Sequence, residues 1–136
     1  MSNQKLIDIL LIQPNKPPRQ MKMADELKAI HKLVEGRFEV YRPFYNDLVI
    51  ICNEEGKLRN LPMNREICND DGMRMDIIRG DFFFVNAPLD SESFQSLSPK
   101  EVKGLSEKFK HPEKFHEEGG RIHVSKIPIK SKAMER

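Results

Sequence analysis

The sequence predicts an α+β fold: a compact domain over residues 1–129, with a mostly antiparallel sheet of five to six strands and two main helices packed on it, followed by a basic, disordered tail over 130–136. Three observations carry this. Two apolar runs rich in branched and aromatic residues, 48–52 and 76–85, flank a polar middle punctuated at Gly56, Pro62 and Gly72, the pattern of strands and their connections. Ser98-Pro99-Lys100-Glu101 reads as a capping box with proline at the first helical position, and Leu97 with Val102 can form the accompanying staple. Leu27, Ile30, Leu33 and Val34 recur at helical spacing between Asp25, a residue type that caps helices, and Gly36, one that ends them. A chain of 136 residues can bury one core without a disulfide or metal staple.

In chain order, residues 5–13 form a buried strand stopped by Pro14. Three prolines, Pro14, Pro17 and Pro18, then stiffen a loop that carries Lys16 and Arg19. After the helix that follows Asp25, residues 37–44 alternate as a half-buried strand closed by Pro43, and 48–52 make the next strand. Asn53-Glu54-Glu55-Gly56 turns the chain so that 57–61 can pair back as a short strand. Pro62 breaks regular structure over 61–65. Asn69-Asp70-Asp71-Gly72 links to strands at 73–79 and 82–86, and three consecutive phenylalanines require apolar contacts on both faces of the latter. The helix after Ser98 carries Val102, Leu105 and Phe109. Residues 113–118 make a short helical turn around Phe115, and Ile122, Val124 and Ile127 read as a last strand.

Several kinds of chemistry find no pattern here. The apolar runs fall short of the ~20 residues of a membrane span, and the patch at 6–12 is interrupted by Asp8 with no cleavage site after it, which makes it a strand in a cytoplasmic protein. Cys52 and Cys68 lack CxxC spacing and read as reduced thiols, Cys52 in the core. If Gly72 took the glycine place of a calcium loop, Ile67 and Ile78 would stand where ligands are needed. His31 has no second ligand at i+4, and His111, His116 and His123 do not share a helical face, so no metal or cofactor is assigned. The adjacent Glu54 and Glu55 read as a solvated turn. There is no phosphate-cradling glycine loop, nucleophile elbow or HExxH. The net charge of +2 divides as +3 over 1–45, −5 over 46–97 and +4 over 98–136. That is neither the basic face of a strong nucleic-acid binder nor the acidic surface of a DNA mimic.

The candidate binding residues are Lys16, Arg19, Tyr41, Arg42, Tyr45, Asn64 and Arg65, which offer cationic forks and amphipathic rings on loops or strand edges. Asn64 and Arg65 could instead satisfy carbonyls of their own turn; Arg65 alternatively presents a planar fork to a carboxylate or phosphate.

Pro14-Asn15-Lys16-Pro17, Ile51-Cys52-Asn53-Glu54-Glu55-Gly56-Lys57-Leu58, Leu61-Pro62-Met63-Asn64-Arg65, Asp76-Ile77-Ile78-Arg79-Gly80 and Ser106-Glu107-Lys108-Phe109 together resemble the domain of unknown function 3846 family, over about residues 6–124. The chain departs from that pattern before Leu48, where Tyr41-Arg42-Pro43-Phe44-Tyr45 replaces a more acidic segment. The family implies small proteins of phages and conjugative elements of Firmicutes and supplies no catalytic residues. From that setting comes the first functional expectation, a non-enzymatic binding protein that inhibits a host defence system of the restriction or CRISPR type, its partner a host protein or protein–nucleic acid complex in the bacterial cytoplasm. The alternatives are a small-ligand or nucleotide-signal binding module built on Asn64 and Arg65, and a nucleic-acid-associated regulator. A hydrolase would need its groups from scattered Asp, Glu and His.

Overall fold

A computed structural model of the chain describes residues 5–129; the basic tail expected over 130–136 lies outside them. Five strands form one antiparallel sheet: β1 (Leu6–Ile12), β2 (Arg19–Ala24), β3 (Phe38–Tyr41), β4 (Leu48–Asn53) and β7 (Phe82–Asn86), in the order β2-β1-β7-β4-β3. The remaining strands make two separate hairpins, β5 (Met63–Cys68) with β6 (Arg74–Arg79) and β8 (Glu113–Glu118) with β9 (Arg121–Lys126). The helices are α1 (Leu27–Val34) and α2 (Pro99–Lys108). No helix among the described residues is long and apolar enough to cross a membrane.

The phenylalanine run explains the layering. Phe82, Phe83 and Phe84 are all fully buried in the central strand β7. Alternation sends Phe83 with Val85 to one face, where Ile30 and Val34 of α1 cover them, and Phe82 with Phe84 to the other. That second face is covered by Val102 and Leu105 of α2 and by Ile67 and Ile78 of the β5–β6 hairpin. Each fully buried apolar side chain of this size contributes about 1.5–3 kcal/mol.

Helix α2 begins as its residues dictate. The Ser98 hydroxyl accepts from the Glu101 amide at 3.1 Å, and the Glu101 carboxylate accepts from the Ser98 amide at 2.9 Å and from the Asn86 side chain at 2.9 Å, which ties the helix start to β7. Helix α1 starts differently from expectation. Asp25 does not cap it; its carboxylate accepts from the Phe94 amide at 3.2 Å, and extended Glu26 precedes Leu27 without a side-chain cap. The helix ends where Glu35 itself turns left-handed at φ 61° and the Gly36 amide reaches the His31 carbonyl.

Three other expectations are corrected. Residues 57–61 are a turn, closed by Arg59 and Leu61 amides on the Glu55 and Gly56 carbonyls, so no strand pairs back there. Residues 61–65 do not all lie outside regular structure, since β5 starts at Met63. Residues 113–118 are strand β8 and not a helical turn, because Gly119 and Gly120 both hold positive φ (61° and 78°) and close a tight hairpin. Strand β2 was not anticipated.

Candidate functional site

The polar groups that converge in the molecule do so on the β5–β6 side of the sheet. Register shifts in the hairpin pair Met63 with Arg79 and Arg65 with Ile78, leaving Asn64 as the extra residue of a β-bulge. The bulge breaks strand alternation, and Asn64 and Arg65 both point inward, 1% and 0% exposed. The Asn64 amide nitrogen donates to the Ile12 carbonyl at 2.9 Å and the Gly80 carbonyl at 2.8 Å. Its oxygen accepts from Arg65 Nη1 at 2.9 Å. Arg65 Nη2 donates to the carbonyls of Lys16 (2.8 Å) and Phe109 (3.1 Å), and Nη1 reaches toward Gln13 O at 3.4 Å; Nε alone lacks a partner. One guanidinium therefore joins the end of β1, the proline loop and the C-terminus of α2, where a cation also meets the negative end of the helix. Burial lowers the Arg65 pKa, partly offset by Glu113, whose own carboxyl is pushed up by burial while it accepts the Glu66 amide at 2.7 Å.

A narrow cleft of about 110 Å³ lies between the β3–β4 edge and β6, walled by Glu39, Cys52, Lys57, Asp76 and Arg79 among others. Most of its wall comes from two of the stretches that carry the family resemblance, 51–58 and 76–80. Gly56 lets the turn pack closely here, since a Cβ would stand 3.1 Å from the Arg79 carbonyl. The neighbouring Asn53 side chain, buried, donates to the Val34 and Glu35 carbonyls at the end of α1 and accepts from the Glu55 amide at 2.7 Å. Cys52 Sγ lies 3.9 Å from Glu39 Oε1. Burial, then the charges of Glu39 and Asp76, push its thiol up to about 12, and the same causes raise Tyr41. The thiol is protonated at neutral pH and is no nucleophile in that state. Lys57 pairs with Asp76 at 2.7 Å. The volume suits a few water molecules, far below the ~300 Å³ of a ligand pocket.

The seven residues singled out from the sequence do not meet at one place. Asn64 and Arg65 lie in the interior: apart from Arg65 Nε, their polar groups are taken up by the chain's own carbonyls and by each other. The other five occupy opposite corners of the sheet. Strands β1 and β4 run in the same direction, each antiparallel to β7, so the β1–β2 connection with Lys16 and the β3–β4 connection with Arg42 and Tyr45 leave from opposite ends and opposite edges. Lys16 and Arg19 are exposed on the β2 side. On the β3 side, Tyr45 is 82% exposed and Arg42 Nη2 donates to the Ala87 carbonyl at 2.9 Å, while Tyr41 packs half-buried against the core. The Glu54–Glu55 turn forms no carboxylate dyad: Glu54 lies 3.7 Å from Arg37 in solvent. Asn69 closes its turn by accepting the Asp71 and Met73 amides. The β8–β9 pairing sets His116 opposite His123, a proximity that helical spacing missed. Among the described residues no three His, Cys, Asp or Glu side chains are grouped to hold a metal ion.

No curated protein and no solved structure matches the chain. A family model does, over residues 7–110, from β1 to just past α2; the resemblance was expected to run on to about residue 124, and the β8–β9 hairpin falls outside the match. That span is more than half of the chain, which belongs to the family described as Domain of unknown function (DUF3846).

Proposed function

We propose that this protein is a non-enzymatic binding protein of a mobile element, acting in the bacterial cytoplasm by occupying the surface of a host defence component. The observation that supports this reading is where the polar side chains go. Those of the interior, Asn53, Asn64 and Arg65, are consumed in holding the chain together, the buried thiol is protonated, and the cationic and amphipathic groups left over are on the surface. The family setting supplies the class of target, a restriction or CRISPR nuclease, as an analogy of context rather than of chemistry. A nucleotide-binding module built on Asn64 and Arg65 is disfavoured, because neither side chain reaches solvent.

The test is phage plating on cells that carry a restriction or CRISPR system and express the protein. Protection is expected, lost on alanine substitution of Lys16 with Arg19 or of Arg42 with Tyr45 while the melting temperature stays put. No protection against any system tried, or turnover of a substrate by the purified chain, contradicts the reading.

A further inference from the structure

We propose that the outer edge of β2, with the groove between β2 and α1, takes up an acidic, extended segment of a partner protein as an additional strand of the sheet. This deepens the binding-protein reading above and rests on it.

The hydrogen-bond pattern shows which backbone groups are available. The Asp8 amide donates to Ser96 Oγ at 2.9 Å and its carbonyl accepts the Leu97 amide at 3.0 Å, so at Asp8 the backbone of β1 points away from β2. Alternation then turns Ile7, Ile9 and Leu11 toward their register partners Met23, Met21 and Arg19. Gln20 and Lys22 are left with amide and carbonyl directed away from β1, and among the described residues β2 is the last strand of the sheet on that side. An unpaired edge is a template for an extended backbone.

The side chains say what kind of segment fits. Arg19, Met21 and Met23 share the α1 face of β2, where with Ala29 and Leu33 they line an open groove of about 460 Å³. Alternate residues of a docked strand would drop apolar side chains there. Arg19 and Lys32 stand on the groove, and neither has a carboxylate within 4 Å among the described residues, whereas Lys22 is held by Asp8 at 2.8 Å. The carboxylates that also line the groove are Glu35 and Asp81, and Asp81 already accepts from the Gln13 side chain at 2.9 Å. Charge decides among occupants. A second copy pairing edge to edge would bring Arg19 and Lys22 of both chains together, and the chain's own tail is itself basic, with Lys130, Lys132 and Arg136 against Glu135. An acidic partner gains where both of those lose.

The experiment uses the whole protein and a fluorescent eight-residue peptide, Glu-Thr-Val-Thr-Val-Thr-Glu-Thr, whose valines and glutamates share one face of an extended strand, read by anisotropy. Saturable binding is expected, weakened about tenfold by the double variant Arg19→Glu/Lys32→Glu and abolished when alternate peptide amides are N-methylated, a change that leaves the protein untouched. The counterpart with lysine in place of each glutamate is expected not to bind. Failure of the acidic peptide to bind, equal binding of the lysine peptide, indifference to N-methylation, or a dimer in sedimentation that Arg19→Glu tightens each overturns the proposal. Phage protection without peptide binding removes the β2 edge and leaves the anti-defence reading; peptide binding without protection removes the reading and leaves the edge.

Discussion

The two faces of the central sheet are closed by different means. On one, α1 lays Ile30 and Val34 on Ile9, Leu11, Val49, Ile51, Phe83 and Val85, and the one buried polar side chain there among the described residues is Asn53, at the end of the helix. On the other, α2 and the β5–β6 hairpin cover Leu10, Ile50, Phe82 and Phe84, and the seam between sheet and hairpin is tied by buried Asn64 and Arg65. Between the strands and the body of α1 the first face needs only hydrophobic residues of suitable volume. The second needs particular donors on particular carbonyls, because an unpaired buried polar group costs more than a made hydrogen bond returns.

A pair of near-isosteric exchanges separates the faces most widely. Asn64→Leu leaves the Ile12 and Gly80 carbonyls without their donor and Arg65 Nη1 without the Asn64 oxygen, and should cost about 3 kcal/mol in urea unfolding. Ile9→Leu on the α1 side should cost about 1.5 kcal/mol or less. Equal losses would erase the distinction. A smaller effect is expected at Gly80, which holds φ 82° and whose Cβ would meet Leu61 Cδ1 at 2.8 Å. Gly80→Ala should lower stability by about 2 kcal/mol, visible as a lowered melting temperature.

A further effect appears only at alkaline pH. The Cys52 pKa is raised in the folded state, to about 12. For an acid raised on folding, the contribution is present below the unfolded pKa and is lost as pH rises, since the unfolded chain releases the proton first. Between about pH 9 and pH 11, unfolding free energy should fall by about 1.4 kcal/mol per pH unit from this thiol, and Tyr41 acts in the same direction. Cys52→Val should flatten that limb, as urea midpoints at the two ends of the range would report; an unchanged slope would place the thiol in water.

The same contrast explains what could be read from residues alone. Apolar periodicity and the Ser98–Glu101 box identified most strands of the sheet, both helices and the two-sided burial of the phenylalanine strand, since those depend on local spacing. Strand β2 carried a weak signal, Met21 and Met23 alternating with polar neighbours, which the preceding prolines masked. The β8–β9 hairpin is signalled by Gly119-Gly120 between 113–118, read as a helical turn, and the last strand. Asn64 and Arg65 were legible as a notable pair but not as interior ones. Their direction depends on a bulge that exists only when β5 meets β6, and their partners, Ile12, Lys16, Gly80 and Phe109, lie 16 to 52 residues away along the chain. The gathering of Met21, Met23 and Arg19 on α1 was invisible for a similar reason, since it follows from register.

One arginine, Arg65, is buried and fastens three segments of the chain, while Arg19 faces solvent. Urea denaturation of Arg65→Met beside Arg19→Met tests this most directly. Arg65→Met strips donors from the carbonyls of Gln13, Lys16 and Phe109 and should cost about 3 kcal/mol or more, whereas Arg19→Met should stay within about 0.5 kcal/mol of the parent. Parent-like stability for Arg65→Met would mean that its guanidinium fastens nothing, and the account of the second face would fail.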